Sequence, residues 1–468
     1  MARRAKETED APYNVLDILQ ELEKVVKVQG ITIGTENRMS TGLLCVDLIL
    51  GGGITAGMYT FAGPEQSAKT TLAITTLAAS VQQSVGMRVL WDAENSTGSS
   101  MDYVENVFST QGVELDTETM FGVRSKGKYQ QKPLIYYRDE GEMETFFNWF
   151  SGLLRRLPDK RFENNSWWYV YEATQENKAK FKGRIDRTLS SANGALYIPA
   201  EDGALQAVVL LDSWPAMLPA SLDDDDPKSG MALQAREFSK HIPRVKGKLR
   251  AKRVALLGIN QLRTAPLAMF KDPLYEPGGD ALKFYSDVRF RITPRALSGV
   301  PFNPKGKGQY EPEPSVSGEG DDTYRYVHVK AIKNKLSLPN RETWLRIWVS
   351  DEDQAARGFC PVWDTFYCLV LTGQVSGKRS SMLLDVHGLG PARKAISWAE
   401  FKLLVLGSKE EILPVCKKIG YRCIDLRKGL FSMMKNGTLE ELYSATHKAK
   451  LQRLKKKAED DEGEEEED

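Results

Sequence analysis

Short apolar runs that end in polar residues recur through the first half of the chain. Residues 58–62, 88–92, 134–137, 207–212 and 253–259 are runs of this kind. They predict strands buried on both faces, which are typical of parallel sheets. Between them, apolar residues at helical spacing predict helices at 71–79, 142–157 and 231–250. The alternation favours an α/β fold with a mostly parallel central sheet flanked by helices.

Further patterns extend this picture towards both ends of the chain. Residues 15–26 predict an amphipathic N-terminal helix, and a helix carrying Val46 and Ile49 is expected to end at the glycines 51–53. Residues 281–293 and 324–349 alternate as strands do, with an exposed basic turn at 333–335. Residues 397–405, 409–419 and 438–457 predict helices in a smaller C-terminal region, α+β or helical. Loops are expected at 222–230, 262–279 and 294–322.

A phosphate-binding loop is predicted between the first strand and its helix. Residues 63–70 read G-P-E-Q-S-A-K-T, and strand, glycine-containing loop and helix follow in the order that points backbone N–H groups at a phosphate. Lys69 would reach the β- and γ-phosphates, and the Thr70 hydroxyl would bind Mg²⁺. Ala68 stands where the usual motif has glycine, at a cost of about 1 kcal/mol if the site needs positive φ. The alternative is a turn that contains Lys-Thr by chance.

Carboxylates follow two of the other predicted strands. Asp92 and Glu94 end one strand, and Asp212 ends the most apolar one. Functional residues of parallel sheets lie just beyond the carboxyl ends of the strands, so these acids should arrive beside the phosphate loop. Asp212 would hold Mg²⁺ through water or Thr70. The alternative for Asp92 and Glu94 is a solvated turn.

The composition is that of a soluble globular protein. The chain has 468 residues, 41% apolar and 27% charged with a net charge of +1, enough for two to three domains. No apolar run approaches twenty residues and the N-terminus lacks an apolar signal region, so neither a membrane span nor a secretory signal is predicted. The five cysteines have no zinc-site spacing, which favours reduced thiols in a cytosol. Residues 448–457 are basic, whereas 459–468 are almost wholly acidic.

Residues 158–203 interrupt the α/β pattern and predict an inserted subdomain or long hairpin. Aromatic residues there stand close to basic ones: Trp167, Trp168, Tyr169 and Tyr171, then Lys178, Lys180, Lys182, Arg184 and Arg187. Such a mixture fits contact with nucleic acid, where aromatic rings stack on bases and basic groups hold phosphates. The alternative is a small satellite core with a solvated face.

Taken together and in this order, the motifs resemble the RecA family of strand-exchange recombinases, a bacteriophage-type member in particular. The matching stretches are S-T-G at 40–42 with Asp47, G-P-E-Q-S-A-K-T-T at 63–71, D-A-E-N at 92–95, L-L-D-S at 210–213, G-I-N-Q-L-R at 258–263, G-G-D-A-L-K-F-Y at 278–285 and V-K-A-I-K-N-K at 329–335. The resemblance covers residues 35–350. Ala68, the insertion and the loose match beyond 350 depart from it.

The resemblance implies a RecA-like ATPase core over 35–350, with the insertion at 158–203 and a flexible loop at 294–322. It is preceded by an N-terminal helix or oligomerisation segment (1–34) and followed by a C-terminal region (351–457) and a disordered acidic tail (458–468). It also implies roles for single residues. Glu94 would activate the attacking water, with Lys69 and Gln261 as further catalytic groups, and Gln261 would sense the γ-phosphate. Tyr103 would stack on adenine. The nucleotide contacts implied are Gly63, Pro64, Glu65, Gln66, Ser67, Ala68, Lys69, Thr70, Thr71, Tyr103, Asp212, Lys333 and Lys335.

Two further sets of residues are implied by the resemblance. DNA-binding positions lie in loops at about 221–230 and 262–279, namely Ser229, Gly230, Arg263, Met269, Phe270, Lys271, Gly278 and Gly279. Subunit-interface positions are Phe284, Lys333 and Lys335, the two lysines reaching the neighbour's ATP.

The implied function is an ATP- and Mg²⁺-dependent, DNA-dependent ATPase that forms helical filaments on single-stranded DNA and exchanges strands with a homologous duplex. A single-strand-binding or loader protein is a possible partner, no membrane is involved, and the expected location is the cytoplasm, that of a bacterial host for a phage protein. Two alternatives remain open: a DNA motor on the same fold (helicase or branch migration), and a nucleotide-gated DNA-binding mediator with weak hydrolysis.

Overall fold

The computed structural model describes residues 37–98, 100–125, 128–131, 133–221, 227–264, 274–295, 322–350, 356–378, 381–421 and 425–449. Its strands are β1 (Gly57–Gly63), β2 (Met87–Asp92), β3 (Arg124–Ser125), β4 (Lys128–Tyr129), β5 (Tyr136–Arg138), β6 (Asp159–Glu163), β7 (Ser166–Glu172), β8 (Ala195–Ala200), β9 (Ala207–Asp212), β10 (Val254–Gln261), β11 (Arg263–Thr264), β12 (Leu274–Tyr275), β13 (Val288–Arg295), β14 (Asp322–Asn334), β15 (Glu342–Ser350), β16 (Ala356–Phe359), β17 (Val375–Lys378), β18 (Ser381–Val386) and β19 (Gly390–Pro391).

The helices in the same residues are α1 (Leu44–Leu50), α2 (Lys69–Ala79), α3 (Met101–Ser109), α4 (Thr117–Phe121), α5 (Met143–Arg156), α6 (Gln175–Lys180), α7 (Arg187–Asn193), α8 (Pro227–Leu249), α9 (Gly279–Tyr285), α10 (Pro361–Leu371), α11 (Trp398–Leu406), α12 (Lys409–Ile419), α13 (Leu426–Lys435) and α14, over residues 438–449. Among the described residues, none of these helices is both long and apolar enough to cross a membrane.

A nine-stranded sheet forms the centre of the larger unit, in the order β16-β15-β14-β13-β1-β10-β9-β2-β5. The six strands from β13 to β5 run parallel, and β14, β15 and β16 continue the sheet antiparallel. The predicted mostly parallel α/β sheet flanked by helices is confirmed. Parallel pairing aligns the carboxyl ends of β1, β10, β9 and β2 along one edge, which is where ligands of open α/β sheets bind.

The apolar runs are continuous because helices cover both faces of the sheet. Along β9, Val208 and Leu210 belong to the larger buried cluster, whereas Val209 and Leu211 belong to a second cluster on the other face. The second cluster is completed by aromatic side chains of α5 and α8, and the first by apolar side chains of α1, α2, α3 and α10. Alternate residues of one strand therefore enter different cores, as expected for a sheet buried on both sides.

The region after residue 350 continues the core. Strand β16 pairs with β15, and α10 lies against α1. Asp364, buried on α10, accepts the first N–H groups of α1 from Leu44 (2.9 Å) and Cys45 (3.0 Å), and binds Arg427 of α13 at 2.8 Å. One carboxylate thus caps a core helix and holds a C-terminal helix. The predicted boundary at 350 stays a prediction, while the expected mixture of extra strands and helices is present.

Residues Lys160–Gly203 cluster as a compact unit of their own, within the predicted insertion. Strands β6, β7 and β8 form a three-stranded sheet, and α6 and α7 connect β7 to β8. The side chains of Thr174 and Asp186 cap the N-termini of these two helices. The segment is a small α+β unit and not a simple hairpin.

Three predicted details are wrong. Residues 281–285 are helical and belong to α9, because Leu282 and Ala281 pack into the core facing α8. The expected basic turn at 333–335 begins later, since β14 extends through Asn334, whose buried side chain donates to Ile49 O at 3.0 Å. The expected loop at 222–230 ends at Pro227, the first residue of α8, where proline favours helix initiation.

Several expectations lie wholly or partly outside the described residues. These are the N-terminal segment 1–34, most of the loop 294–322, the centre of the loop 262–279 and the tail 458–468.

Candidate nucleotide-binding site

The predicted phosphate loop connects the carboxyl end of β1 to the first turn of α2. Gly63 closes the strand, and a Cβ atom there would lie 2.3 Å from Ile292 O and 2.4 Å from Ser67 Oγ, so only glycine fits. The Lys69 ammonium donates to Pro64 O at 2.6 Å and to Ser67 Oγ at 3.5 Å. The lysine is therefore folded back over the loop, next to where the N–H groups of the helix start.

The loop backbone takes the conformation in which Ala68 is strained. Gln66 and Ala68 have φ of 55° and 65°, and Ala68 is the left-handed residue preceding α2. Successive N–H groups in such a turn form a concave anion site. The site thus needs the positive φ for which glycine is usual, and alanine bears a cost of about 1 kcal/mol there.

The Asp212 carboxylate lies next to the first turn of α2. Thr70 Oγ1 donates to Asp212 Oδ2 at 3.2 Å. Burial, followed by the charge of Glu94, raises the pKa of Asp212 to about 7, although the Thr70 hydrogen bond and Lys69 oppose the shift. Burial lowers the pKa of Lys69, which the charges of Asp212 and Glu94 oppose. Two acids and one lysine around a hydroxyl form a site where a divalent cation would relieve the repulsion.

Glu94 reaches this site through the turn after β2. The N–H groups of Ala93 and Glu94 both donate to Asp212 O, at 2.6 and 3.2 Å, so the turn stays paired with the end of β9. Ser213 Oγ donates to Glu94 Oε1 in a short hydrogen bond. The Glu94 side chain is exposed, which leaves its carboxylate accessible to a water molecule. The Asp212–Ser213 peptide bond is cis.

Asp92 has a different position from Glu94. It is buried and accepts the N–H groups of Thr97 (2.8 Å) and Gly98 (3.3 Å), as well as the Tyr137 hydroxyl at 3.0 Å. The predicted arrival of both acids beside the phosphate loop therefore holds for Glu94, whereas Asp92 shapes the turn that carries Glu94. Ser213 was missed as a site residue, although it follows Asp212 directly in the L-L-D-S motif.

Gln261 stands at the end of β10, level with Gly63 in the parallel register. Its side chain donates to Glu65 Oε1 of the phosphate loop at 2.9 Å, and the N–H of Leu262 donates to Gly63 O at 2.9 Å. The two groups join the loop to the strand that leads into the 262–279 segment. The partner of Gln261, Glu65, was predicted only as one of nine loop contacts.

Tyr103 lies on α3, beside α2. Its hydroxyl donates to Thr71 Oγ1 at 2.7 Å, and its half-buried ring packs against the larger core. This places the tyrosine next to the residue that follows Thr70. Stacking on adenine stays a prediction.

The residues present fit a nucleoside triphosphate with Mg²⁺. The glycine-lined turn has no room for a side chain at Gly63, Lys69 supplies a cation, and Thr70 with Asp212 supplies the oxygen ligands that Mg²⁺ prefers in proteins.

Comparisons with known proteins point the same way. The RecA N-terminal domain family model matches residues 196–352, which include Asp212, Gln261 and Lys333. Protein RecA of Thermus aquaticus is 27% identical over 357 residues, covering 76% of this chain and 77% of the relative. Protein RecA of Mycoplasma mobile is 26% identical over 342 residues, covering 71% and 76%.

The sequence is therefore similar to those of RecA-family proteins over about three quarters of its length. Protein RecA of Streptococcus agalactiae serotype III is 34% identical over 148 residues, which span 31% of this chain and 35% of that protein. A crystal structure of the RadB recombinase aligns with 69% of this chain and 98% of its own, at 16% identity and a TM-score of 0.36, too weak a likeness to support a conclusion. RecA-family proteins are ATPases that use ATP with Mg²⁺. A phage origin stays a prediction.

The two lysines that the RecA resemblance assigns to a neighbour's nucleotide do not lie at this chain's own phosphate loop. In the strand pairing, Lys333 lies opposite Arg289, and Arg289 lies opposite Thr60. Thr60 precedes Gly63 by about 10 Å along β1, so Lys333 is set back from the phosphate loop. Its ammonium donates to Lys283 O and Phe284 O, both at 2.7 Å, at the end of α9.

Lys335 lies on the same side of the sheet. Its ammonium is 3.8 Å from Asp287 Oδ1, and Asp287 also binds Lys246 through a short ion pair. Phe284 is 72% exposed at the end of α9. The three predicted interface residues therefore share one surface, and sequence reasoning missed Asp287 and Lys246 as partners there.

The predicted DNA-binding residues fall into four groups. Met269, Phe270 and Lys271 lie outside the described residues. Arg263 is exposed in β11, which pairs with β12, so the described ends of the 262–279 segment form a hairpin base. Ser229 and Gly230 belong to the first turn of α8.

Gly278 and Gly279 begin α9 with φ of 91° and 73°. A Cβ at Gly279 would lie 2.9 Å from Ala235 Cβ of α8, so these glycines permit close packing. Their role in DNA binding stays a prediction.

Proposed function

We propose that the protein is an ATP-dependent recombinase that assembles as a filament on single-stranded DNA and pairs it with homologous duplex. The observation that carries the proposal is the convergence of the phosphate loop, Asp212, Glu94 and Gln261 at one edge of the sheet. Similarity to RecA proteins supports ATP as the nucleotide, and the four features together suit phosphoryl transfer to water.

Each residue of the site has a step in hydrolysis. The loop N–H groups and Lys69 bind the phosphates, and Lys69 also opposes the negative charge that develops on the transferred phosphoryl group. Mg²⁺, when bound, neutralises charge on the phosphate oxygens. Thr70 and Asp212 would hold it, because they already share a hydrogen bond. Glu94, held by Ser213, accepts the proton of the attacking water as general base.

Gln261 offers a route from nucleotide to DNA. Its amide lies between Glu65 of the phosphate loop and β11, which opens the 262–279 segment. A γ-phosphate that binds the Gln261 amide would compete with Glu65 for it and alter the position of this segment. The nucleotide and the DNA would then both act on the 262–279 segment, as a coupling free energy between two binding sites requires.

The exposed surface around Phe284, Lys333 and Lys335 supplies the contact between subunits. Because these cations lie away from their own phosphate loop, they serve a nucleotide held by the next copy. Repeated use of two different surfaces generates an open helix when the rotation does not close. The nucleotide then bridges adjacent copies and favours the assembled state.

The test is ATP hydrolysis with and without single-stranded DNA at low salt, together with electron microscopy in the presence of a non-hydrolysable ATP analogue. We expect hydrolysis to be stimulated by the DNA and helical filaments to form on it. Hydrolysis indifferent to DNA would refute the coupling through Gln261. Closed rings with directional unwinding would favour a motor, and absent hydrolysis would favour a nucleotide-gated mediator.

A further inference from the structure

The unit formed by residues 160–203 carries a basic segment that the ATPase site does not use. Between residues 178 and 187 there are five basic side chains (Lys178, Lys180, Lys182, Arg184, Arg187) and one acid, Asp186. All five basic side chains are exposed. Asp186 is occupied as the cap of α7, where it accepts the N–H of Leu189 at 2.8 Å.

The basic segment is held in a defined shape. It runs from the end of α6 through a turn to the start of α7, and Phe181 in its centre is buried with its ring 4.4 Å from that of Tyr171. The N–H of Phe181 donates to Asn177 O at 3.0 Å, and that of Arg184 to Phe181 O at 2.9 Å. Its backbone is therefore hydrogen-bonded on both sides of an aromatic anchor.

Within the described part of the chain, the charges of the basic segment are not neutralised by the protein. Lys180 lies over the Phe181 ring at 5.3 Å. The side chains of Lys178, Lys182, Arg184 and Arg187 form no ion pair or hydrogen bond with another described residue. Like charges gathered on so small a unit repel one another, and this cost is recovered when an anion binds. Lys178 and Lys180 also stabilise the C-terminus of α6, but the other three lie beyond that helix.

We propose that the basic segment binds the phosphate backbone of DNA as a contact separate from the ATPase core. A row of exposed Lys and Arg side chains spread over ten residues suits an extended polyanion better than a small ligand. The contact is to backbone phosphates, so it is independent of sequence and weakens as salt rises. Single-stranded and duplex DNA share this chemistry, and the experiment distinguishes them.

The experiment compares the full-length protein with the triple variant Lys182→Gln/Arg184→Gln/Arg187→Gln. Binding to single-stranded DNA and to a duplex of equal length is measured without nucleotide over a series of salt concentrations. Three lost phosphate contacts should make binding at least about tenfold weaker at low salt. They should also reduce the slope of log affinity against log salt by about 2–3.

Two further variants serve as controls. Arg155→Gln/Lys435→Gln/Lys448→Gln removes the same net charge from exposed, scattered sites and should leave the slope nearly unchanged. Lys182→Arg/Arg184→Lys/Arg187→Lys keeps the charges and should bind as the wild type does. A loss confined to duplex assigns the segment to the incoming duplex, and an equal loss with both ligands assigns it to either form.

Equal affinities and slopes for the triple variant and the scattered control, with both DNAs, would overturn the proposal. Hydrolysis of ATP in the triple variant should still respond to saturating single-stranded DNA. That readout separates failure of this inference from failure of the proposed recombinase activity.

Discussion

Replacing Glu94 by Gln isolates the proposed general base. Gln keeps the size of Glu and can still accept the Ser213 hydrogen bond through its amide oxygen, so the turn after β2 should keep its shape. Loss of general-base catalysis costs about 10²–10⁴ in kcat, which is roughly 3–5 kcal/mol in activation free energy. Nucleotide affinity should change little, because the phosphate contacts come from the loop and Lys69. Loss of the Glu94 charge also removes one cause of the raised Asp212 pKa, which favours the ionised Mg²⁺ ligand.

The assay is steady-state ATP hydrolysis with saturating single-stranded DNA, combined with nucleotide binding by a fluorescent ATP analogue. Ser213→Ala is the matched positioning variant. It keeps the carboxylate but removes the hydrogen bond that orients it, so its kcat should fall by a smaller factor, about tenfold. Wild-type turnover in Glu94→Gln would remove the role assigned to this carboxylate. Loss of nucleotide binding in the same variant would show that it acts on the fold of the site.

Four further predictions concern stability and charge. Ala68→Gly should raise the free energy of unfolding in urea by about 0.5–1 kcal/mol, since glycine relieves the left-handed strain but gains freedom when unfolded, and a decrease would contradict the strain argument. Asp364→Asn should lower it by about 3 kcal/mol, because Arg427 loses its buried partner, and an unchanged urea midpoint would show that α10 does not depend on this contact. Burial raises the pKa of Asp47 from 3.8 to about 6. The free energy of unfolding should therefore be highest below pH 3.8 and fall by about 3 kcal/mol as the pH rises through 6. Asp47→Asn should flatten this fall in urea titrations at several pH values, and an equally steep fall in the variant would refute the assignment. Deleting residues 459–468 should strengthen duplex-DNA binding at low ionic strength by removing competing negative charge, and unchanged affinity there would count against it.

The parts of the site that sequence could predict are those fixed by local chemistry. Two motifs can be recognised from a few consecutive residues: the glycine turn before Lys69 and Thr70, and the apolar strand that ends in Asp212. The parallel order of the sheet then brings them together, as the Thr70–Asp212 hydrogen bond shows. The sequence could not predict the positive φ at Ala68 and gave only its cost if it occurred, because the backbone conformation depends on the whole turn.

The parts that sequence could not predict depend on distant contacts. Asp92 and Glu94 are two residues apart on one strand end, yet one turns inwards to backbone N–H groups and the other faces the site. Lys333 and Lys335 were expected in an exposed turn, but Asn334 is held by Ile49, almost three hundred residues earlier. Residues 281–285 were predicted as part of a strand-like segment reaching to 293, but packing against α8 places them in a helix.

The most direct test of the central claim, that a nucleotide is shared between adjacent copies, mixes two inactive variants. Lys69→Ala lacks a working phosphate loop but keeps Lys333 and Lys335, whereas Lys333→Ala/Lys335→Ala has the opposite defect. In an equimolar mixture, about one junction in four pairs the intact loop of one variant with the intact lysines of the other. We predict that DNA-stimulated ATP hydrolysis, almost absent from each variant alone, recovers to about a quarter of the wild-type rate. A mixture as inactive as its components, with both variants still assembling on DNA, would contradict the account.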